Sequence, residues 1–211
     1  MDKQATLIDS FYGQYGKRVF DITVALILLL ITLPFMFIVL LVLLITTGRP
    51  VFFTQTRTGI HEQHFMIWKL RTMEMRTVSL DLPIMDANGI PDDYFHKTAP
   101  DARVTKVGAV LRKLSIDEIP QLINVLKGDM SIVGPRPEIP AITNAYNALQ
   151  AERLEVKPGL TGLAQINGRS DISHGQKINY DLQYVEKYSL WLDIKIVAKT
   201  FYVVLARTGA Y

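Results

Sequence analysis

The sequence predicts an α+β protein with a membrane anchor, and three observations carry that expectation. An uncharged apolar run occupies residues 22–47, two stretches of alternating apolar and polar residues lie within 51–73, and beyond Val104 apolar residues recur at helical spacing. With 211 residues, the natural division is an anchor over 1–48 and one compact domain over 49–211, a size ample for a single core.

The anchor comes first. About 26 residues at 1.5 Å each are long enough to cross a hydrocarbon core of about 30 Å. Pro34 lies near the middle of the run, where it removes a helical hydrogen bond and clashes with the preceding turn. Lys17 and Arg18 precede the run while Arg49 and Arg57 follow it, so the distribution of positive charge gives no vote for opposite sides. A broken, re-entrant helix with both ends on one face fits these facts, and so does a single span with a proline kink. Asp21, at the start of the run, is expected at the interface beside Lys17 or Arg18, which themselves read as headgroup anchors.

The alternating stretches, separated by Gly59 to Gln63, predict a β-hairpin. Lys69 and Arg71 share one strand face, where like charges call for an overlying anion or for solvent. Residues 74–101 form an irregular excursion rich in acids and turn formers. An amphipathic helix carrying Val107, Val110, Leu111 and Leu114 follows. Residues 139–156 predict one helix entered through Pro140, another helical run begins at Tyr180-Asp181, and residues 190–207 form an apolar helix with Trp191, Tyr202 and scattered lysines. That composition suits the headgroup plane, with core packing as the competing reading.

Acids, bases and backbone punctuation gather in residues 112–137. Pro120 places a helix start near Asp117, the apolar stripe Ile119, Leu122, Ile123 and Leu126 continues it, and Lys127-Gly128 closes it. Asp117 and Glu118 then sit at its mouth, where acids often serve only as caps and dipole partners. Their neighbours point to more. Arg112 and Lys113 stand about one turn before, and Gly134-Pro135-Arg136-Pro137 is a stiff loop that presents one guanidinium, suited to a bidentate grip on phosphate. Two acids among several cations also suit a divalent metal bridged to phosphate oxygens.

Composition narrows the chemistry. There is no cysteine, which excludes thiol nucleophiles, disulfides and zinc-thiolate sites, and the four histidines show no ligand spacing, most of them being expected in solvent. The net charge is +3 and the pI is about 9.0, with Lys and Arg clustered beside apolar sequence. That favours an anionic membrane surface or phosphorylated substrates over nucleic acid, for which no basic-aromatic stacking pattern is present.

The 112–137 block resembles the bacterial sugar transferases, the monotopic polyprenyl-phosphate phosphoglycosyl transferases. Further matches occur in family order at Lys17-Arg18-Val19-Phe20-Asp21, Phe53-Thr54-Gln55 to Gly59, Lys69-Leu70-Arg71-Thr72-Met73, Lys127-Gly128-Asp129-Met130-Ser131, Lys157-Pro158-Gly159-Leu160-Thr161-Gly162 and Asn167-Gly168-Arg169. The resemblance implies a re-entrant helix over 22–47 bent at Pro34, and a domain on the cytoplasmic face of the bacterial inner membrane with interfacial amphipathic helices. It implies transfer of a sugar 1-phosphate from a nucleotide diphosphate sugar to polyprenyl (undecaprenyl) phosphate, the first membrane step of glycoconjugate assembly. By the same resemblance Asp117 is the nucleophile and a ligand of Mg²⁺, Glu118 tunes the site, and Lys69, Arg71, Arg112, Arg136 and Arg169 hold phosphate. Asp181 resembles a recurrent supporting acid, although alone it reads as a surface helix residue. Leu33 departs from the serine that many members place before the proline, with Thr32 the nearest substitute. A membrane-anchored metal-dependent phosphohydrolase would use the same acids, and a non-catalytic scaffold would explain the anchor but not the acid pair and the arginine loop together.

Overall fold

The computed structural model describes residues 10–74, 89–95, 101–168 and 171–206. Helix α1 spans Lys17–Thr47 and continues a π-helical turn at Tyr12–Gly16. It starts before the expected residue 22 because Lys17, Arg18 and Asp21 find partners on the domain. Among the described residues it is the one helix long and apolar enough to cross a membrane. Its middle, including Leu30, Ile31, Leu33, Phe35, Phe37 and Ile38, is exposed apolar surface. Pro34 offers no N–H to the carbonyl of Leu30, and the Thr32 hydroxyl donates to Leu28 O at 2.7 Å, not to that carbonyl.

Both ends of α1 are tied to the same domain. At the start, Lys17 and Asp21 are 6% and 2% exposed, so Lys17 is a domain tether rather than a headgroup anchor and Asp21 is enclosed by the domain. The Arg18 guanidinium donates to Val125 O and Leu126 O, both at 2.6 Å. At the far end, Leu43 is fully buried against Leu70 and Leu111, worth about 1.5–3 kcal/mol.

The hairpin forms as expected. Strand β1 (Phe52–Thr58) pairs antiparallel with β2 (His64–Leu70), with Phe52 opposite Leu70 and Thr58 opposite His64. The amphipathic helix α2 (Lys106–Lys113) is capped by Thr105, whose hydroxyl accepts from Gly108 N at 2.9 Å. It buries Leu111 but leaves Val110 exposed.

Ser115, in the left-handed region at φ 55°, then turns the chain into a 3₁₀ turn at Ile116–Glu118, and helix α3 (Gln121–Lys127) follows after Pro120. Asp117 and Glu118 therefore occupy the 3₁₀ turn rather than the first turn of an α-helix. Gly128, at φ 95°, closes α3 as expected. Strand β3 (Ser131–Val133) pairs in parallel with β4 (Gly159–Thr161). They approach so closely that a Cβ on Gly159 would lie 2.0 Å from Gly134 N.

Residues 139–156 are not one helix. They break into α4 (Pro140–Thr143), α5 (Ala148–Ala151) and a 3₁₀ turn at Glu152–Glu155. The cause is Asn147, whose side chain accepts from Gln150 N while Gln150 returns a bond to Asn147 N, a capping box that starts a new helix. After the short α6 (Leu163–Ile166), helix α7 (His174–Glu186) begins earlier than Tyr180 because Ser173 and Gln176 form a second capping box. His174, expected in solvent, is 1% exposed and packs against Tyr146. Helix α8 (Leu190–Ala206) packs one face into the core and leaves an apolar face exposed. Asp193 and Ile196 are buried, whereas Leu190, Trp191, Ile194, Phe201 and Tyr202 are exposed. The main core joins Ala25 of α1 to Ile67, Leu122, Val125, Ile132, Val133, Tyr184 and Ile196. The 74–101 excursion lies largely outside the described residues.

Candidate active site

The 3₁₀ turn brings two acids under β2 and the loop after β3. Glu118 takes both nearby cations: Lys69 Nζ donates to Oε1 at 2.9 Å, and Arg136 Nη2 donates to the same oxygen at 2.5 Å with Nη1 at 3.3 Å from Oε2. Burial alone pushes the Glu118 carboxyl up, but Arg136 and Lys69 outweigh it and hold the group well below the usual carboxylate range. Lys69 is pulled down by burial, which Glu118 opposes.

Asp117 is in the opposite condition. It is 6% exposed, and among the described residues no hydrogen bond or ion pair engages its carboxylate. Burial pushes its pKa up, the negative charge of Glu118 adds to this, and Lys69, Arg112 and Arg136 oppose it. Among the described residues, a buried carboxylate with no hydrogen-bond partner thus lies beside an acid whose charge is already balanced. The arrangement suits Asp117 as a single-carboxylate ligand for Mg²⁺, a cation commonly held by one or two carboxylates together with substrate phosphates.

The loop carrying Arg136 is held through its carbonyls, since its two prolines offer no N–H. Pro135 O accepts from Gly159 N at 2.9 Å and Glu138 O from Thr58 N at 2.9 Å. Arg136 O accepts from Arg153 Nη2 at 2.8 Å, and Pro137 O from Arg57 Nη1 at 3.1 Å. Four successive carbonyls therefore meet donors from three places in the chain, the adjacent Arg57 and Thr58, then Arg153 and Gly159.

The expected site residues divide into groups. Asp117, Glu118, Lys69, Arg112 and Arg136 come together. Arg112 is the cation left for a substrate anion: among the described residues its hydrogen-bond contact is the Met73 sulfur at 3.6 Å. Arg71 requires a correction. Instead of facing phosphate, its guanidinium is folded onto the end of α1, donating to Thr47 O, to Gly48 O at 2.8 Å and to Arg49 O at 3.2 Å. Those carbonyls lie at and just past the C-terminus of α1, where the negative end of the helix dipole favours a guanidinium. Arg169 lies outside the described residues. Asp181 is no surface acid. It is 1% exposed and paired with Arg153, whose Nε lies at 2.9 Å and Nη2 at 2.6 Å.

Sequence reasoning missed Arg153, Arg57 and Asp193. Asp193, fully buried, accepts from Lys17 Nζ and Tyr12 Oη, each at 2.5 Å, and lies 2.8 Å from Tyr184 Oη. One readable signal was the Lys17 and Asp21 pair at i,i+4, which meets at 3.5 Å. Nothing in spacing pointed to its third member.

The family model described as bacterial sugar transferase matches residues 12–207. The chain belongs to the bacterial sugar transferase family. It is 45% identical over 193 residues to the uncharacterized sugar transferase EpsL of Bacillus subtilis, covering 92% of this chain and 89% of that protein. It is 40% identical over 203 residues to the UDP-glucose:undecaprenyl-phosphate glucose-1-phosphate transferase of Caulobacter vibrioides, covering 92% and 72%. Identity to the undecaprenyl-phosphate galactose phosphotransferase of Salmonella typhimurium is 40% over 202 residues, covering 94% of this chain and 42% of that protein. The matched span in this family runs from the π turn before α1 through α8, so anchor and domain belong to it together.

Proposed function

We propose that this enzyme transfers a sugar 1-phosphate from a nucleotide diphosphate sugar to undecaprenyl phosphate and releases the nucleoside monophosphate. The observation that carries the mechanism is the unpartnered, buried Asp117 carboxylate beside a charge-balanced Glu118. A carboxylate oxygen of Asp117 attacks the sugar-bearing phosphorus, the bond from that phosphorus to the bridging oxygen breaks, and the nucleoside monophosphate leaves with the electron pair. An oxygen of the lipid phosphate then attacks the same phosphorus and Asp117 is released as carboxylate. Splitting the transfer in two spares the site from holding two bulky donors at once.

Glu118, fixed by Lys69 and Arg136, keeps those cations facing the reacting phosphoryl group, and Arg112 is free to hold the diphosphate. Mg²⁺ held by Asp117 would neutralise the diphosphate and stabilise the leaving group.

Membrane placement follows the same reading, with a re-entrant α1 and the domain on the cytoplasmic face. Its support is the pair of clamps on α1. Asn124, next to Val125, accepts from Trp68 N at 3.1 Å, so the Arg18 and Arg71 clamps are joined through the domain by Trp68 to Arg71, about 10 Å of strand. A straight helix from Arg18 to Thr47 measures about 44 Å. The two arginine side chains would have to lie end to end along one line to approach that length, so a bend at Pro34 fits the clamps. The exposed face of α8, with Lys195 stacked 5.2 Å from the Trp191 ring, suits the headgroup layer of the same leaflet.

The test is incubation of membranes containing the protein with undecaprenyl phosphate and a panel of UDP-sugars, reading nucleoside monophosphate. One sugar is expected to give lipid-dependent release. Release of sugar phosphate into water without lipid would identify a phosphohydrolase instead.

A further inference from the structure

Each end of the membrane helix is fastened close in sequence to a cation that holds Glu118. Arg71, on the three carbonyls that end α1, is two residues from Lys69. Lys17, near the start of α1, donates to Val133 O at 3.0 Å, and only Gly134 and Pro135 separate Val133 from Arg136. We propose that seating of α1 on the domain sets the acid pair, with Arg71 acting as a positioning residue for Lys69 and Asp193 as one for Arg136.

On the first side, Arg71 is 9% exposed and its backbone N–H also donates to Val51 O at 2.9 Å, so the end of β2 is pinned through main chain and side chain together. Arg71 directly follows β2, two residues beyond Lys69, and Lys69 reaches Glu118 from that pinned stretch. If α1 shifts, Arg71 follows the carbonyls and Lys69 is drawn off its oxygen.

On the second side, Asp193 holds Lys17, which donates to Val133 O, and lies against the Tyr184 hydroxyl beside the same carbonyl. Lys17 Nζ and Tyr184 Oη each lie 3.0 Å from Val133 O, and both contact Asp193. Asp21 completes the tie by accepting from Ile132 N at 3.0 Å and from Ser131 Oγ at 2.8 Å. All of β3 is thereby referred to the start of α1. The proline loop beyond it has little freedom of its own, so a displacement of β3 reaches Arg136 without being absorbed.

The proposal rests on the acid pair being the reacting site, and the experiment separates the two. Arg71→Met, Lys69→Met and their combination form one double-mutant cycle in the full-length enzyme, and Asp193→Asn, Arg136→Met and their combination form another. Turnover at saturating donor and acceptor is corrected for active enzyme by the burst of nucleoside monophosphate. Arg71→Met and Asp193→Asn are each expected to lower kcat about 10- to 100-fold with little change in KM, the size of effect that a misplacement of about 1 Å produces. In the Lys69→Met background, Arg71→Met is expected to cost less than about threefold, and Asp193→Asn likewise in the Arg136→Met background, because the group acted through is already gone. Arg71→Lys, which keeps a charged donor for the carbonyls, is expected to restore part of kcat and serves the same cycle if Arg71→Met does not accumulate. Losses that multiply in full, or that vanish once corrected for active enzyme, overturn the positioning role. Wild-type kcat in Lys69→Met and Arg136→Met would instead overturn the reading of the acid pair.

Discussion

Replacing Arg153 by methionine removes a guanidinium that is 1% exposed and leaves Asp181, also 1% exposed, as a buried carboxylate without its counter-charge. Four contacts go with it: two to Asp181, one to Tyr146 Oη at 2.8 Å and one to Arg136 O at 2.8 Å. Breaking a buried pair on one side typically costs about 3–5 kcal/mol, most of it the stranded charge. For a chain of this size that lowers the unfolding midpoint by roughly 6–20 °C. The sign of the pH dependence is fixed by Asp181, whose folded pKa is raised by burial against the pull of Arg153. A raised acid favours the folded state in its neutral form, so the deficit of Arg153→Met shrinks as pH falls through that raised pKa and is larger at about pH 8 than at about pH 5. Removing both charges, in Arg153→Met with Asp181→Leu, relieves the stranded carboxylate and is expected to recover more than half of the loss. Thermal unfolding of the detergent-solubilised enzyme, read by near-ultraviolet circular dichroism at both pH values, measures all three variants. A deficit under about 1 kcal/mol, or a double variant no better than the single, refutes the assignment of this pair as a buried, mutually dependent ion pair.

Three further outcomes are expected of the reaction. Asp117→Asn keeps the shape of the turn and loses the nucleophile, so turnover falls by at least about a thousandfold, and near-normal turnover in folded protein removes Asp117 from its role. Because burial and Glu118 hold the Asp117 pKa up while Lys69 lowers it, the acid limb of the rate profile lies above the ordinary aspartate value of about 3.9 and moves to higher pH in Lys69→Met; a limb that stays in place contradicts this electrostatic account. Chelation with EDTA is expected to abolish turnover and added Mg²⁺ to restore it, while undiminished activity in chelator excludes the metal. For the membrane, cysteines introduced as Ser10→Cys and Lys187→Cys in this cysteine-free chain are expected to be equally shielded from an impermeant thiol reagent outside intact cells. Labelling at position 10 alone identifies a single span.

Local features were legible in the sequence wherever one physical rule acted alone. Alternation over 51–73 with a glycine between the runs defines β1 and β2, and Gly128 after Lys127 ends α3 because only glycine sits easily at φ 95°. The acid pair and its cations were recognisable as a group because most of them fall within 112–137. The break in residues 139–156 was also written in the chain, as asparagine followed three residues later by glutamine, but the apolar spacing suggested continuity and the cap won. The same pattern at Ser173 and Gln176 started α7 early. Arg71 was misread because charge repulsion on a strand face suggested an anion, whereas Arg71 lies just past the end of β2 and its guanidinium folds onto the carbonyls at the end of α1. Arg153 with Asp181, and Lys17 with Asp193, had no local signal at all, since each pair is assembled by the tertiary fold from distant positions.

The Lys17 to Asp193 contact spans 176 residues of chain, and this has a consequence for how the protein is made. A ribosome adding about 5–20 residues per second needs roughly 9–35 s to travel from one partner to the other. Throughout that interval the start of the apolar helix carries Lys17 and Asp21 beside the bilayer without the carboxylate that will later enclose the lysine. Polar groups in that condition resist entry into hydrocarbon, so the leading end is expected to stay out of the apolar layer until Asp193 is made. Helix α8, made long after α1, therefore completes the tie that holds the start of α1.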